Sequence, residues 1–148
     1  MDNKIFNTSI VNLAALQHFS FTIPTYQRPY VWGDEQIDKI LRDFYKSFQH
    51  NENKDFYIGT ILTKENGKKA ELIDGQQRFT TLWLTAFVFS RKNKNSEIEK
   101  FLINEDKSLK LTFEIRTEVE NYFKNLLEKD KAENIEIIQS TEIEKFPY

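Results

Sequence analysis

Asn66-Gly67 stands between two runs of β-forming residues, and the second run ends on Asp74-Gly75 ahead of a long apolar-rich segment. That arrangement admits few structures. Asn-Gly is the preferred dipeptide of a type I′ hairpin turn, so residues 56–63 and 69–73 are expected to pair antiparallel around the turn 65–68. A helix is expected to start at Asp74-Gly75. Phe79, Leu82, Trp83, Ala86, Phe87 and Ser90 mark one face of it, while Leu84 and Val88 make a second face apolar. Such a helix is buried on more than one side. Arg91, Lys92 and Lys94 end it where the helix dipole favours cations.

The flanking segments supply the rest of a mixed architecture. Thr8 or Ser9 is suited to cap a first helix carrying Ile10, Val11, Leu13, Ala14, Leu16 and Phe19. Phe21-Thr22-Ile23 reads as a short strand that Pro24 limits. From Asp34, read as the N-cap, the apolar positions Ile37, Ile40, Leu41, Phe44, Tyr45 and Phe48 follow the spacing of one buried helix face. Leu109, Leu111, Phe113 and Ile115 alternate with polar residues as in a half-buried strand. Val119, Tyr122, Phe123, Leu126 and Leu127 give an amphipathic helix, and residues 134–139 a last short strand. The order is not a regular βαβ alternation, so the expected class is α+β.

Composition narrows the function. The 148 residues are one ordinary domain, with thirteen Phe, six Tyr and two Trp to fill its core. With no cysteine there is no disulfide framework, thiolate metal site or cysteine nucleophile. No apolar run approaches a membrane span and no signal pattern opens the chain, so a cytoplasmic protein without membrane partners is expected. Residues 1–96 hold 13 Lys/Arg against 10 Asp/Glu, and residues 97–148 hold 8 against 13. A first part at +3 and a tail at −5 do not describe a protein that coats DNA, so any nucleic-acid contact must be local. His18 and His50 lack metal-ligand spacing, and no His-Asn-His nuclease arrangement occurs.

Two polar clusters carry the candidate chemistry. In Ile73-Asp74-Gly75-Gln76-Gln77-Arg78-Phe79-Thr80-Thr81-Leu82, Asp74 is placed to cap the helix and Gly75 to let a ligand approach. The free amides of the helix start suit a phosphate oxygen. Arg78 adds a directional, charge-assisted contact, the glutamines can orient a water or read a base edge, and Thr80 and Thr81 offer hydroxyls. The plainer reading pairs Asp74 with Arg78 as a helical ion pair worth roughly 0.2–0.5 kcal/mol, with the glutamines in water. In Ile23-Pro24-Thr25-Tyr26-Gln27-Arg28-Pro29-Tyr30-Val31-Trp32, three aromatics surround Gln27 and Arg28. This suits stacking on a base or gripping a phosphate. Its plainer reading is an aromatic loop packed on the core. Taken together, Arg28 and Arg78 are expected to converge on one pocket for anions.

These two clusters, with Tyr57-Ile58-Gly59-Thr60-Ile61 between them, resemble the N-terminal domain of GmrSD-type restriction endonucleases over roughly residues 5–130. The resemblance implies a ParB/sulfiredoxin-like fold and a role in phage defence, with some members recognising modified DNA. It implies hydrolysis of a nucleoside triphosphate at Asp74, Gly75, Gln76, Gln77 and Arg78, with Mg²⁺ as cofactor. In that reading Arg78 and Arg28 stabilise phosphate charge, Gln76 or Gln77 positions water, and Asp74 is the base or the metal ligand. Tyr26, Gln27, Arg28, Tyr30 and Trp32, with Gly75, Thr80 and Thr81, would bind nucleotide or DNA. The alternatives are a non-catalytic module that senses modified DNA and an interaction fragment of a longer protein. Residues 1–130 are read as this domain. Residues 131–148 are read as the start of a connection to a C-terminal nuclease domain or partner subunit, so cleavage of DNA by this chain alone is not expected.

Overall fold

The computed structural model describes residues 8–50, 55–93 and 96–129. A short 3-10 helix, Leu13–His18, leads into β1 (Ser20–Ile23), α1 (Asp34–His50), β2 (Leu62–Asn66), β3 (Lys69–Asp74), α2 (Gln76–Asn93), α3 (Ser96–Leu102), β4 (Leu111–Phe113) and α4 (Thr117–Lys129). The strands form one mixed sheet in the order β2-β3-β1-β4. β2 and β3 pair antiparallel, while β1 lies parallel to both β3 and β4. The class is α+β.

Alternation sets the inner face of the sheet. Phe21 and Ile23 of β1, Ala70 and Leu72 of β3, and Leu111 and Phe113 of β4 are all buried. Against them α2 lays Phe79, Trp83 and Phe87, which meet Leu102, Leu109 and Phe123 in the same cluster. The Phe21 and Phe79 rings are 4.3 Å apart, and Trp83 and Phe123 are 5.0 Å apart. Trp83, Phe79, Leu72, Leu102 and Leu111 are fully enclosed. Each contributes roughly 1.5–3 kcal/mol through the apolar area it removes from water. On the outer face, the Thr22 and Thr112 hydroxyls bond across the strands at 3.0 Å.

The structure corrects the sequence reading at several places. The first helix is only the 3-10 segment capped by Asn12, with Ile10 and Val11 left 96 % and 55 % exposed. The hairpin turn is Gly67-Lys68 rather than Asn66-Gly67, since Asn66 pairs with Lys69. Only Gly67 has a positive φ there, which is the pattern of a type II′ turn. Residues 56–61 are not part of a strand. Gly33, not Asp34, carries the carbonyl that starts α1, and its amide donates to Gln36 Oε1. Ile115 is 62 % exposed and outside β4. The seven-residue α3 has no counterpart in the sequence reading; too few apolar positions stand among its charges. The expected strand at 134–139 and the connection at 131–148 lie outside the described residues.

The α1 helix keeps its predicted apolar face, yet none of its residues is buried. Ile37, Leu41, Phe44 and Phe48 instead face Leu84, Val88 and Phe89 of α2 across an open groove of about 580 Å³. This accounts for the second apolar side of α2. Among the described residues no helix is long and apolar enough to cross a membrane.

Candidate functional site

The start of α2 is built by a glycine. Gly75 has φ 83° and its carbonyl accepts the Phe79 amide at 2.9 Å, so Gly75 is the residue that opens the helix. A Cβ there would lie 2.9 Å from the Thr60 carbonyl oxygen. Asp74, expected as the cap, is instead the exposed last residue of β3, opposite Leu62. Its carboxylate makes no hydrogen bond or ion pair with another described residue. The Asp74–Arg78 helical ion pair is likewise absent, because the left-handed turn at Gly75 separates the carboxylate from the helix.

Arg78 finds a different seat. Its Nη1 donates to the Thr60 carbonyl at 3.0 Å, and its guanidinium lies flat on Gly59. A Cβ on Gly59 would be 2.7 Å from Arg78 Cζ. The Thr60 hydroxyl is 2.8 Å from the Tyr57 phenol oxygen. A guanidinium held by a carbonyl keeps its whole charge, whereas a carboxylate partner would cancel it. Sequence reasoning took residues 57–61 as strand and as part of the family resemblance, and did not name Tyr57, Gly59 or Thr60 as candidate site residues. The signal was Gly59, a lone glycine inside a β pattern, which marks close approach by another group.

The second cluster is brought to the first by carboxamides. Gln76 Nε2 donates to the Arg28 carbonyl at 2.8 Å, and Gln77 Nε2 donates to the Pro29 carbonyl at 2.8 Å. Gln77 Oε1 accepts from the Val31 amide at 2.7 Å. Gln27 returns the arrangement, donating to the Ile73 carbonyl at 2.7 Å. The loop between β1 and α1 has no sheet partner for its backbone, and half-buried peptide groups need one. A carboxamide both donates and accepts, so Gln77 alone serves a carbonyl and an amide two residues apart. Both glutamines are 6 % exposed. These side chains are thus engaged with the loop backbone, where the sequence reading set them at a water or a base edge.

The hydroxyls are similarly enclosed. Thr80 and Thr81 are 3 % exposed. Thr81 Oγ1 donates to the Gln77 carbonyl and bonds Tyr30 Oη at 2.8 Å. Tyr30 is half-buried, and that burial raises its pKa above the ordinary phenol value, the Thr81 bond offsetting part of the shift. Trp32 is also half-buried. Tyr26 is 63 % exposed and donates to Glu71 Oε1 at 2.6 Å, a bond to a carboxylate that raises its pKa.

Arg28 reaches solvent, and its side chain makes no hydrogen bond or ion pair with a described residue. The apolar groove and a small cleft lined by Pro24, Gln27, Glu114 and Arg116 include neither arginine. The motifs meet through backbone and carboxamides, and the expected common cavity around both guanidiniums is not one of these hollows. Arg28 is exposed and Arg78 partly so. Among the described residues no three His, Asp or Glu side chains gather as a metal set. His50 Nδ1 lies 2.9 Å from the Lys46 carbonyl oxygen within its own helix.

Comparison with curated proteins gave no match. The family model for the GmrSD restriction endonuclease N-terminal domain matches residues 3–147, almost the whole length. With the two clusters in contact at the start of α2, the conclusion is that this chain belongs to the GmrSD N-terminal domain family and is a restriction-endonuclease component.

Proposed function

We propose that the start of α2 binds the phosphates of a nucleoside triphosphate and hydrolyses it in the service of modification-dependent DNA restriction in phage defence. The observation that carries this reading is the Arg78 guanidinium, fixed by the Thr60 carbonyl and paired with no carboxylate among the described residues, in the first turn of α2, where the helix dipole favours anions. Arg78 stabilises charge on the phosphates, and Arg28, without a side-chain partner among the described residues, supplies the second cation from the loop. Gln76 and Gln77 are positioning residues that keep the loop against the helix.

Asp74 fits either of two jobs. Its exposed carboxylate, unpaired among the described residues, suits the one-carboxylate attachment by which Mg²⁺ joins a protein to substrate phosphates. When bound, the cation would neutralise phosphate charge. The same carboxylate is also free to accept a proton from the attacking water. Calorimetric titration with ATP and GTP, with and without Mg²⁺, tests the reading. Binding that weakens on Arg78→Ala, and a Mg²⁺ dependence lost on Asp74→Ala, is the expected result; no binding by the wild-type chain rejects it.

A second reading draws on the loop. Tyr26 and Arg28 both face solvent, and an exposed aromatic two residues from an exposed guanidinium is the chemistry of base and backbone contact. Here the module senses modified DNA without turnover. Salt-dependent DNA binding that weakens on Arg28→Ala would favour it. The nuclease chemistry would belong to a further domain or partner subunit.

A further inference from the structure

Tyr57 belongs to neither polar cluster, yet it bonds the residue that seats Arg78. Tyr57 is 71 % exposed, yet its phenol oxygen is fixed 2.8 Å from the Thr60 hydroxyl. The carbonyl of that same Thr60 receives Arg78. Gly59 between them has no side chain, so the guanidinium fills the space against the backbone. One end of the ring is thus anchored to the residue that seats Arg78, and its body stands in water. An anchored ring loses little further freedom when a flat group settles on it. Every nucleobase has a face to offer. Tyr26 is the other exposed tyrosine near the clusters, but it bonds the Glu71 carboxylate, whose charge repels phosphates.

We propose that Tyr57 is the base-stacking residue of this site, taking the ring of a nucleotide whose phosphates sit at Arg78. The inference rests on the nucleotide reading above and extends it from phosphates to base. Stacking has no edge readout, so adenine and guanine nucleotides should both be accepted.

The test titrates the whole chain with ADP and with pyrophosphate, which carry the same number of phosphates and differ by the nucleoside. Wild type should bind ADP more tightly by on the order of tenfold or more, the scale of aromatic–base stacking. Tyr57→Ala should erase that advantage and leave pyrophosphate affinity unchanged. Tyr57→Phe, which keeps the face and loses the Thr60 bond, should retain it. Equal affinities in wild type, or an ADP advantage that survives Tyr57→Ala, overturns the stacking role while leaving phosphate binding standing. Loss of pyrophosphate binding in Tyr57→Ala overturns it too, since Tyr57 would then act by seating Arg78. Failure of wild type to bind either probe removes both this proposal and the nucleotide reading.

Discussion

Gln77 accepts the Val31 amide at 2.7 Å while its own amide group donates to Pro29, so one buried carboxamide fastens two residues of a distant loop. Alanine at position 77 would strand a carbonyl and an N–H in a part-buried place. We expect Gln77→Ala to lower unfolding free energy by about 2 kcal/mol, the usual penalty for unpaired buried polar groups. Urea denaturation measures it. Gln77→Glu should be worse at pH 8 than at pH 4. The charged carboxylate faces the Pro29 carbonyl, and only the protonated form restores a donor. A pH-independent Gln77→Glu variant would contradict this role.

Two glycines with positive φ should respond differently to alanine. Gly67 has φ 63° with open space around its absent Cβ, so Gly67→Ala meets only the left-handed backbone cost of roughly 1–2 kcal/mol. At Gly75 the new methyl also meets the Thr60 carbonyl at 2.9 Å and Ile61 at 3.2 Å. Gly75→Ala should therefore lose clearly more stability than Gly67→Ala and should displace residues 60–61. Thermal melts of the pair provide the comparison. Equal losses would mean that the contact with residues 60–61 is not tight.

Tyr30 gives the fold a pH limit on the alkaline side. Burial raises its folded pKa above the ordinary 10.0, so the folded state holds the phenol proton more tightly than the unfolded chain does. The associated stability is fully present below pH 10.0 and is lost as pH rises through the folded value. Ionisation also takes away the phenol's donor capacity toward Thr81, 2.8 Å away. Chemical denaturation at pH 8 and pH 11 should show a fall that is smaller in Tyr30→Phe. An equal fall in both proteins would place the pH limit elsewhere.

The sequence made the sheet-to-helix core legible and the site only half so. The hairpin, the start of α2 and the alternation of Leu109, Leu111 and Phe113 rest on periodicity and turn chemistry, which are local. The exact turn shifted by one residue because the β2–β3 register, a tertiary matter, decides which pair closes it. The α1 face was correctly apolar, but periodicity cannot say whether such a face meets a core or an open groove. At the site, residue type exposed the polar clusters without revealing which side chains serve the ligand. A glutamine that feeds a loop backbone and one that holds water are the same letter. For the seat of Arg78 the lone Gly59 signalled a close approach but not by which group, because Gly59 and Thr60 act through backbone, 19 and 18 residues away along the chain.

The central claim is that a guanidinium seated on Gly59 acts on phosphates. Phosphate release from ATP or GTP by the whole chain with Mg²⁺, compared between wild type and Arg78→Ala at matched melting temperature, tests it most directly. Losing one fixed donor to transition-state charge should slow turnover on the order of a hundredfold or more. Turnover unchanged in Arg78→Ala would contradict the claim.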